Sequence, residues 1–109
     1  MSTADTIEQI NFQMITSICD VTASYMQAME EAKAGNIAAA RELIKKGEDG
    51  YSKCHEIHAG LIQRMAAGEK IEVQILLVHA EDQMMNAEMM KIMAEQIVDL
   101  NARLQRLER

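Results

Sequence analysis

The chain has 109 residues, a formal net charge of −6, 49% hydrophobic residues, ten methionines and no proline. A chain of this length is expected to form one domain spanning residues 1–109, and so large an apolar fraction argues against intrinsic disorder. The acidic balance argues against a nucleic-acid-binding surface, which would need clustered lysine and arginine.

The first predicted helix covers about residues 6–34. Its apolar residues recur at steps of three and four, which is the pattern of an amphipathic helix with one buried stripe. The stripe consists of Ile7, Ile10, Met14, Ile18, Val21, Tyr25, Ala28 and Ala32. Gly35 suits the position just after a helix, and Asn36 is a favourable N-cap for the next one.

The second predicted helix covers about residues 36–66 and carries a heptad-like seam. The seam consists of Ile37, Ala40, Ile44, Gly47, Tyr51, Cys54, His58, Leu61 and Met65. Gly47 and Gly50 fall inside this helix, and each costs about 1 kcal/mol there. Because the seam keeps its phase across both glycines, we predict one continuous helix with a weak middle, followed by a break at Gly68.

The third predicted helix covers about residues 70–107 and carries two apolar stripes. One consists of Ile71, Ile75, Val78, Asp82, Met85, Met89 and Ile92, and the other of Leu76, His79, Gln83, Asn86, Met90, Met93, Ile97, Leu100, Leu104 and Leu107. Residues 75–78 are apolar on every side, which indicates burial by several neighbours. Three helices of about 40–55 Å are too few to supply those neighbours. We therefore predict an all-α fold of three long antiparallel helices, with helix 3 at the centre of a homo-oligomer.

The sequence predicts no targeting or membrane segment. Residues 1–10 lack the positive and apolar regions of a secretory signal peptide, and no apolar run approaches the ~20 residues that would span a bilayer. Cys19 and Cys54 do not suggest a disulfide framework and are expected to remain thiols. These features predict a cytoplasmic location.

His79 and Asp82 lie one turn apart within the apolar stripes of the third helix. His79 fits either a core or interface histidine with satisfied hydrogen bonds, or a reactive imidazole whose lone pair is nucleophilic at neutral pH. Asp82 fits either an exposed rim carboxylate or a carboxylate on the rotation axis of an oligomer. On an axis, the related carboxylates must be protonated or neutralised by a cation, and Mg²⁺ or Ca²⁺ prefers such oxygen ligands.

The segment "CHEIH" (residues 54–58) is a weaker candidate for a metal site. Cys54 and His58 lie one turn apart, but the chain contains neither a CxxC pair nor the ExxH motif of di-iron carboxylate bundles. Packing of Cys54 and a hydrogen-bonded His58 is the favoured interpretation. The ten methionines are interpreted as apolar filler and not as a copper site.

Three segments together resemble enzyme IIA of the lactose/cellobiose class of the sugar phosphotransferase system: "AKAGNIAAARELI" (residues 32–44), "CHEIHAGLIQ" (residues 54–63) and "LLVHAEDQMM" (residues 76–85). The resemblance implies a three-helix protomer that assembles as a homotrimer. It also implies a phosphocarrier, in which the family's active histidine falls on His79 and its axial aspartate, with a bound divalent cation such as Mg²⁺, falls on Asp82. No organic cofactor is implied.

The partners implied by the resemblance are HPr, the cognate enzyme IIB and, indirectly, the membrane enzyme IIC. His79 would accept a phosphoryl group from the phosphohistidine of HPr and pass it to a cysteine of enzyme IIB, for uptake of a disaccharide, with a cellobiose-type system favoured. Gln83, His58 and Gln63 are candidates, by polarity, for contacting the phosphoryl oxygens.

This sequence departs from the family pattern at several positions. Gln83 replaces the second histidine that usually follows the aspartate, and His58 stands where glutamine is common. Cys19 and Thr22 stand where glycine and arginine are common.

Two other functions stay open: a non-catalytic helical trimer or adaptor, for which His79 would be dispensable, and a metal-binding protein. The second would need the side chains of Cys54, His55, His58 and His79 to converge.

Overall fold

Three α-helices account for most of the computed structural model, which describes residues 6–108: α1 (Ile7–Lys33), α2 (Ile37–Ala66) and α3 (Ile75–Leu107). Successive helices are antiparallel, since His58 near the end of α2 bonds Glu81 near the start of α3, and Gln105 near the end of α3 bonds Gly35 just past α1. The all-α prediction is confirmed. None of the described helices combines the length and hydropathy needed to cross a membrane.

Helix α1 packs against both other helices, and its predicted stripe is confirmed as the centre of the core. Every member of the stripe is buried except Ile7, which is half-buried. The helix begins with a capping box, in which the Thr6 side chain accepts from the Gln9 amide and the Gln9 side chain accepts from the Thr6 amide. This reciprocal pair satisfies two donors that the helix start leaves free.

Helix α2 is continuous through Gly47 and Gly50, as predicted. The glycines are explained by contact with α1: a Cβ on Gly47 would lie 2.3 Å from the ring of Tyr25, and one on Gly50 would lie 3.0 Å from Val21. The weak middle of α2 therefore permits the close approach of two helices. The same contacts set the register, in which the Cys54 thiol lies level with the carbonyl of Met14.

The two connections follow glycines with positive φ, Gly35 at +90° and Gly68 at +98°. Asn36 occupies the N-cap position of α2, but its side chain does not bond the helix amides and donates instead to Glu31. The predicted start of the third helix near residue 70 is wrong, because residues 69–74 are not helical. Ile71 matched the helical period, yet it packs against the core from this connection.

The buried face of α3 is a third stripe, which differs from both predicted ones. It consists of Leu77, Ala80, Met84, Ala87, Ala94, Val98 and Ala102. Four of these seven residues are alanines. Alanine is only weakly hydrophobic, so it contributes little to an apolar pattern, but its small side chain lets helices approach closely. The two predicted stripes lie largely on the outer surface, where Ile75 is 87% exposed and Met85 is 71% exposed. The molecule measures 60 × 27 × 18 Å, so one chain is too thin to cover this face.

Candidate functional site

His79 lies in the second turn of α3 and is exposed, which excludes the core-histidine interpretation for the single chain. Among the described residues its ring makes no hydrogen bond and no ion pair. Leu76, one turn earlier, is also partly exposed, and Gln83, one turn later, is half-buried. The side chain of His79 is therefore accessible to a partner that approaches this side of α3.

Asp82 is exposed on the same helix, three residues after His79. Three residues correspond to a rotation of about 300°, so the two side chains point about 60° apart. Val78, Met85 and Met89 surround Asp82 on the helix surface and are all more than half exposed. Asp82 thus places a carboxylate within an apolar surface. A second copy of the chain that packed against this surface would remove the carboxylate from water.

His58 is held on the other side of α3 from His79. Its Nε2 lies 2.7 Å from an Oε2 of Glu81, and the imidazole is largely buried. Glu81 is two residues from His79, which places it about 200° around the helix. Within one chain, His58 is therefore not a contact of a phosphoryl group on His79. Gln63 is exposed near the end of α2 and belongs to a different helix. Of the three predicted candidates, Gln83 is the one that lies on α3 on the same side as His79.

Cys19 and Thr22 lie far from His79 along the bundle. Met14 is level with Cys54, and His79 lies about 9 Å from that level toward the start of α1. Thr22 lies about 12 Å from the same level in the opposite direction, so it is roughly 20 Å from His79 along the axis. The Thr22 hydroxyl donates to the Cys19 carbonyl. These two departures from the family pattern do not alter the immediate surroundings of His79.

The metal-binding interpretation of Cys54, His55 and His58 does not match the structure. No group of three or more His, Cys, Asp or Glu side chains within residues 6–108 is arranged to hold a metal ion. The buried Cys54 thiol donates to the Met14 carbonyl at 3.6 Å, and burial raises the pKa of this thiol. His55 lies instead beside the ring of Tyr51, with centroids 6.3 Å apart.

The pattern analysis missed a polar seam between α2 and α3. It contains the His58–Glu81 bond, a hydrogen bond from the Tyr51 hydroxyl to Glu88, and an ion pair between Lys91 and Glu48 at 3.4 Å. The last two border a cavity of about 520 Å³. The partners on α3 are Glu81, Glu88 and Lys91, spaced seven and then three residues apart, which is a helical spacing of polar residues that the sequence shows beside the apolar ones.

The family model described as "PTS system, Lactose/Cellobiose specific IIA subunit" matches residues 9–102. This chain belongs to the lactose/cellobiose-specific IIA family of the phosphotransferase system. The resemblance predicted from the three sequence segments is confirmed, and the matched region includes His79 and Asp82. This IIA subunit is therefore a component of a phosphotransferase system.

Individual relatives agree with that assignment. The lichenan-specific phosphotransferase enzyme IIA component of Bacillus subtilis (strain 168) is 40% identical over 86% of each chain. The crystal structure of the cellobiose-specific enzyme IIA from Bacillus anthracis has a TM-score of 0.89 at 36% identity, covering 95% of each chain. The chitobiose IIA solved in complex with HPr from Escherichia coli shares the fold, with a TM-score of 0.77 at 20% identity over 94% of this chain and 99% of that one.

Proposed function

We propose that this IIA subunit carries a phosphoryl group on His79, accepting it from the phosphohistidine of HPr and passing it to a cysteine of its cognate enzyme IIB. The observation that carries the proposal is an exposed histidine with no hydrogen bond to any residue in the range 6–108, on a helix face that a partner can reach, in a member of the IIA family. A membrane enzyme IIC is then an indirect partner. Because both protein partners act on the cytoplasmic side, we also propose a cytoplasmic location.

The transfer needs only one nucleophilic atom of this chain. The lone pair of one neutral ring nitrogen of His79 attacks the donor's phosphorus, and a new N–P bond forms as the donor's N–P bond breaks. The released electron pair returns to the donor's ring nitrogen. In the second step a cysteine thiolate of enzyme IIB attacks the same phosphorus, and the electron pair returns to His79. The other nitrogen of His79 keeps its proton throughout.

The part of α3 around His79 offers no positive charge to the phosphoryl group. No lysine or arginine occurs in residues 75–86, whereas the Asp82 carboxylate lies about one turn after the histidine. The amide of Gln83, one turn from His79, is the candidate donor to a phosphoryl oxygen. The partner proteins are expected to bring the remaining stabilising groups, which makes transfer depend on specific docking.

We propose a homotrimer built on the exposed face of α3, with Asp82 at its axis. Exposed apolar patches of this size rarely remain uncovered on soluble proteins. A single chain offers one carboxylate from this position, so a cation site would exist only where three copies meet. Carboxylate oxygens suit a hard divalent cation such as Mg²⁺, which would supply positive charge to offset their mutual repulsion.

We favour a cellobiose-type sugar for the system that this subunit serves. The support is similarity: two of the relatives described above are named lichenan-specific and cellobiose-specific, and they are 40% and 36% identical to this chain. The test is phosphoenolpyruvate-dependent phosphorylation of cellobiose and lactose by a reconstituted system that contains this subunit. Faster turnover of lactose would overturn the preference.

Phosphoryl acceptance tests the carrier function directly. The protein is mixed with phosphoenolpyruvate, enzyme I and HPr, and mass spectra are recorded under alkaline conditions that preserve phosphohistidine. We expect one acid-labile phosphoryl group per chain, which His79→Ala abolishes without loss of helicity. His55→Ala, at another exposed histidine, is the matched control and should be phosphorylated normally. A folded protein that accepts nothing from active HPr would support the adaptor function instead.

A further inference from the structure

Asn11 is the polar residue that the fold explains least. Its side chain is 0% exposed, and neither Oδ1 nor Nδ2 has a hydrogen-bond partner among the described residues. Leaving a buried polar group unpaired destabilises the folded state, whereas an apolar residue of the same shape avoids that penalty. A buried carboxamide is therefore expected to form a hydrogen bond with another polar group that lies close to it.

Asn11 is level with the part of α3 that carries the active histidine. It lies three residues before Met14, and Glu81 lies level with His58, four residues along α2 from the level of Met14. At about 1.5 Å per residue, Asn11 and Glu81 are at nearly the same height. His79 and Gln83 therefore stand about 3 Å to either side of that height.

The side of α3 that faces α1 identifies the partner. Gln105 marks that side, since it bonds the carbonyl of Gly35 at the end of α1. Gln83 lies within about 40° of the same direction and is half-buried. On α1, Ser17 marks the side next to α2, because it borders a surface groove together with Ile57 of α2. Asn11 points about 120° away from Ser17 around the axis of α1. Asn11 is thus on the flank directed at α3.

Gln83 is the polar residue that best fits Asn11. Among the other polar residues of α3 described within one turn of this height, Glu81 is bonded to α2, and His79 and Asp82 are exposed. Two carboxamides can form a paired ring, in which each donates one N–H to the other's oxygen. Such a pair would satisfy both orphaned atoms of Asn11 at once.

We propose that Asn11 is a positioning residue for phosphoryl transfer, acting by pairing its carboxamide with that of Gln83 next to His79. The proposal rests on the carrier function argued above. In the pair, one Nε2–H of Gln83 bonds Asn11 and the second points away from it. Because Gln83 is one turn from His79, that second N–H is placed to donate to a phosphoryl oxygen. Asn11 thereby fixes which end of the Gln83 amide faces the phosphoryl group.

A double-mutant cycle with an independent spectroscopic readout tests the proposal. Asn11→Leu and Gln83→Met each remove a carboxamide at similar size, and Ser24→Ala, at the other buried polar residue of α1, is the control. The first readout is the pair of Nε2 proton signals of Gln83 by NMR, which Asn11→Leu should shift and Ser24→Ala should not. The second is the rate at which saturating phospho-HPr phosphorylates His79.

Each single variant should slow the transfer about tenfold, the effect of one hydrogen bond of about 1.4 kcal/mol, and the double variant should be no slower than either. Wild-type rates in Asn11→Leu, losses that multiply in the double variant, or unchanged Gln83 signals would each overturn the positioning role and leave the carrier function standing. If Asn11→Leu shifts the Gln83 signals but wild-type protein accepts no phosphoryl group, the carrier function fails and Asn11 is structural only.

Discussion

Gly47 and Gly60 stand in the same helix, but the packing of the chain requires only one of them. A Cβ at Gly47 would lie 2.3 Å from the buried ring of Tyr25, whereas a Cβ at Gly60 meets nothing within 4 Å. We expect Gly47→Ala to lower the free energy of unfolding by about 1–3 kcal/mol, because overpacking outweighs the gain in helix propensity. Gly60→Ala should raise it by up to about 1 kcal/mol. Urea unfolding at one protein concentration measures both, and equal stabilities would contradict the packing argument.

Tyr25 should make the stability of the protein sensitive to alkaline pH. Burial, with a smaller contribution from Glu48 and Glu95, raises the pKa of Tyr25 from 10.0 to about 12. The folded state therefore holds this proton more tightly than the unfolded state does. The resulting stability is complete below pH 10 and is lost as pH rises from 10 toward 12.

The variant Tyr25→Phe isolates this effect. The unfolding free energy of wild type should fall more steeply between pH 10 and 12 than that of Tyr25→Phe, although burial also raises the pKa of Tyr51. Urea titrations at several pH values give the two slopes. Parallel slopes would show that the Tyr25 hydroxyl ionises as readily in the folded state as in the unfolded one.

Single residues differ in how clearly the sequence indicates them as candidates for a functional site. His79 and Asp82 could be singled out because a charged or titratable side chain interrupts an apolar period. Asn11 gave no such signal, since an asparagine beside Ile10 is compatible with an exposed position just outside the stripe. Its burial depends on how far α3 extends over the flank of α1, which one-dimensional periodicity does not encode. The same limit applies to the His58–Glu81 bond.

Helix starts show the difference between residue preference and actual capping. Thr6 forms a reciprocal capping box with Gln9, whereas Asn36 occupies the N-cap position of α2 without bonding its amides. We expect Thr6→Ala to cost about 1 kcal/mol of unfolding free energy and Asn36→Ala only a few tenths. Chemical denaturation of the two variants makes the comparison. A larger loss at Asn36 would mean that its hydrogen bond to Glu31 stabilises the α1–α2 turn more than the cap stabilises α1.

Helix existence and direction follow from the sequence, but the choice of buried face does not. The stripes of α1 and α2 point to the core because these helices have one strongly apolar side. Helix α3 has three sides that could be buried, and the core takes the one rich in alanine, such as Ala80 and Ala87. Larger residues remain outside because they exceed the space between closely packed helices. The non-helical Ile71 shows the same ambiguity, since one residue can match a helical period and still contact the core from a loop.

The shape of the whole molecule leaves the outer face of α3 as an extended apolar surface that no other helix of the chain covers. The molecule is 18 Å thick in its shortest dimension, so none of residues 6–108 folds back over the outer face of α3. The exposed side chains include Ile75, Val78, Met85, Met89, Ile92, Met93, Leu100, Leu104 and Leu107. Burying such a surface against copies of itself is favourable by roughly 25 cal/mol per Å² of apolar area, before the entropy of association is counted. Asp82 is the charged exception in the first half of this face, and the exposed Arg103 lies in its second half.

Replacing that exception tests the proposed trimer and its cation together. Asp82→Leu removes the carboxylates that repel one another at the axis and supplies apolar contact, and packed apolar residues often outperform buried ionic clusters. We expect the wild-type trimer to weaken when EDTA removes divalent cations. The Asp82→Leu trimer should be insensitive to EDTA and at least about tenfold tighter than the EDTA-treated wild type. Asp20→Leu, at an exposed aspartate of α1, should behave like wild type. Sedimentation equilibrium with and without EDTA measures all three proteins. If Asp82→Leu is no tighter than the EDTA-treated wild type, the carboxylates do not repel one another at an axis, and if EDTA leaves the wild type unchanged, Asp82 does not hold a cation there.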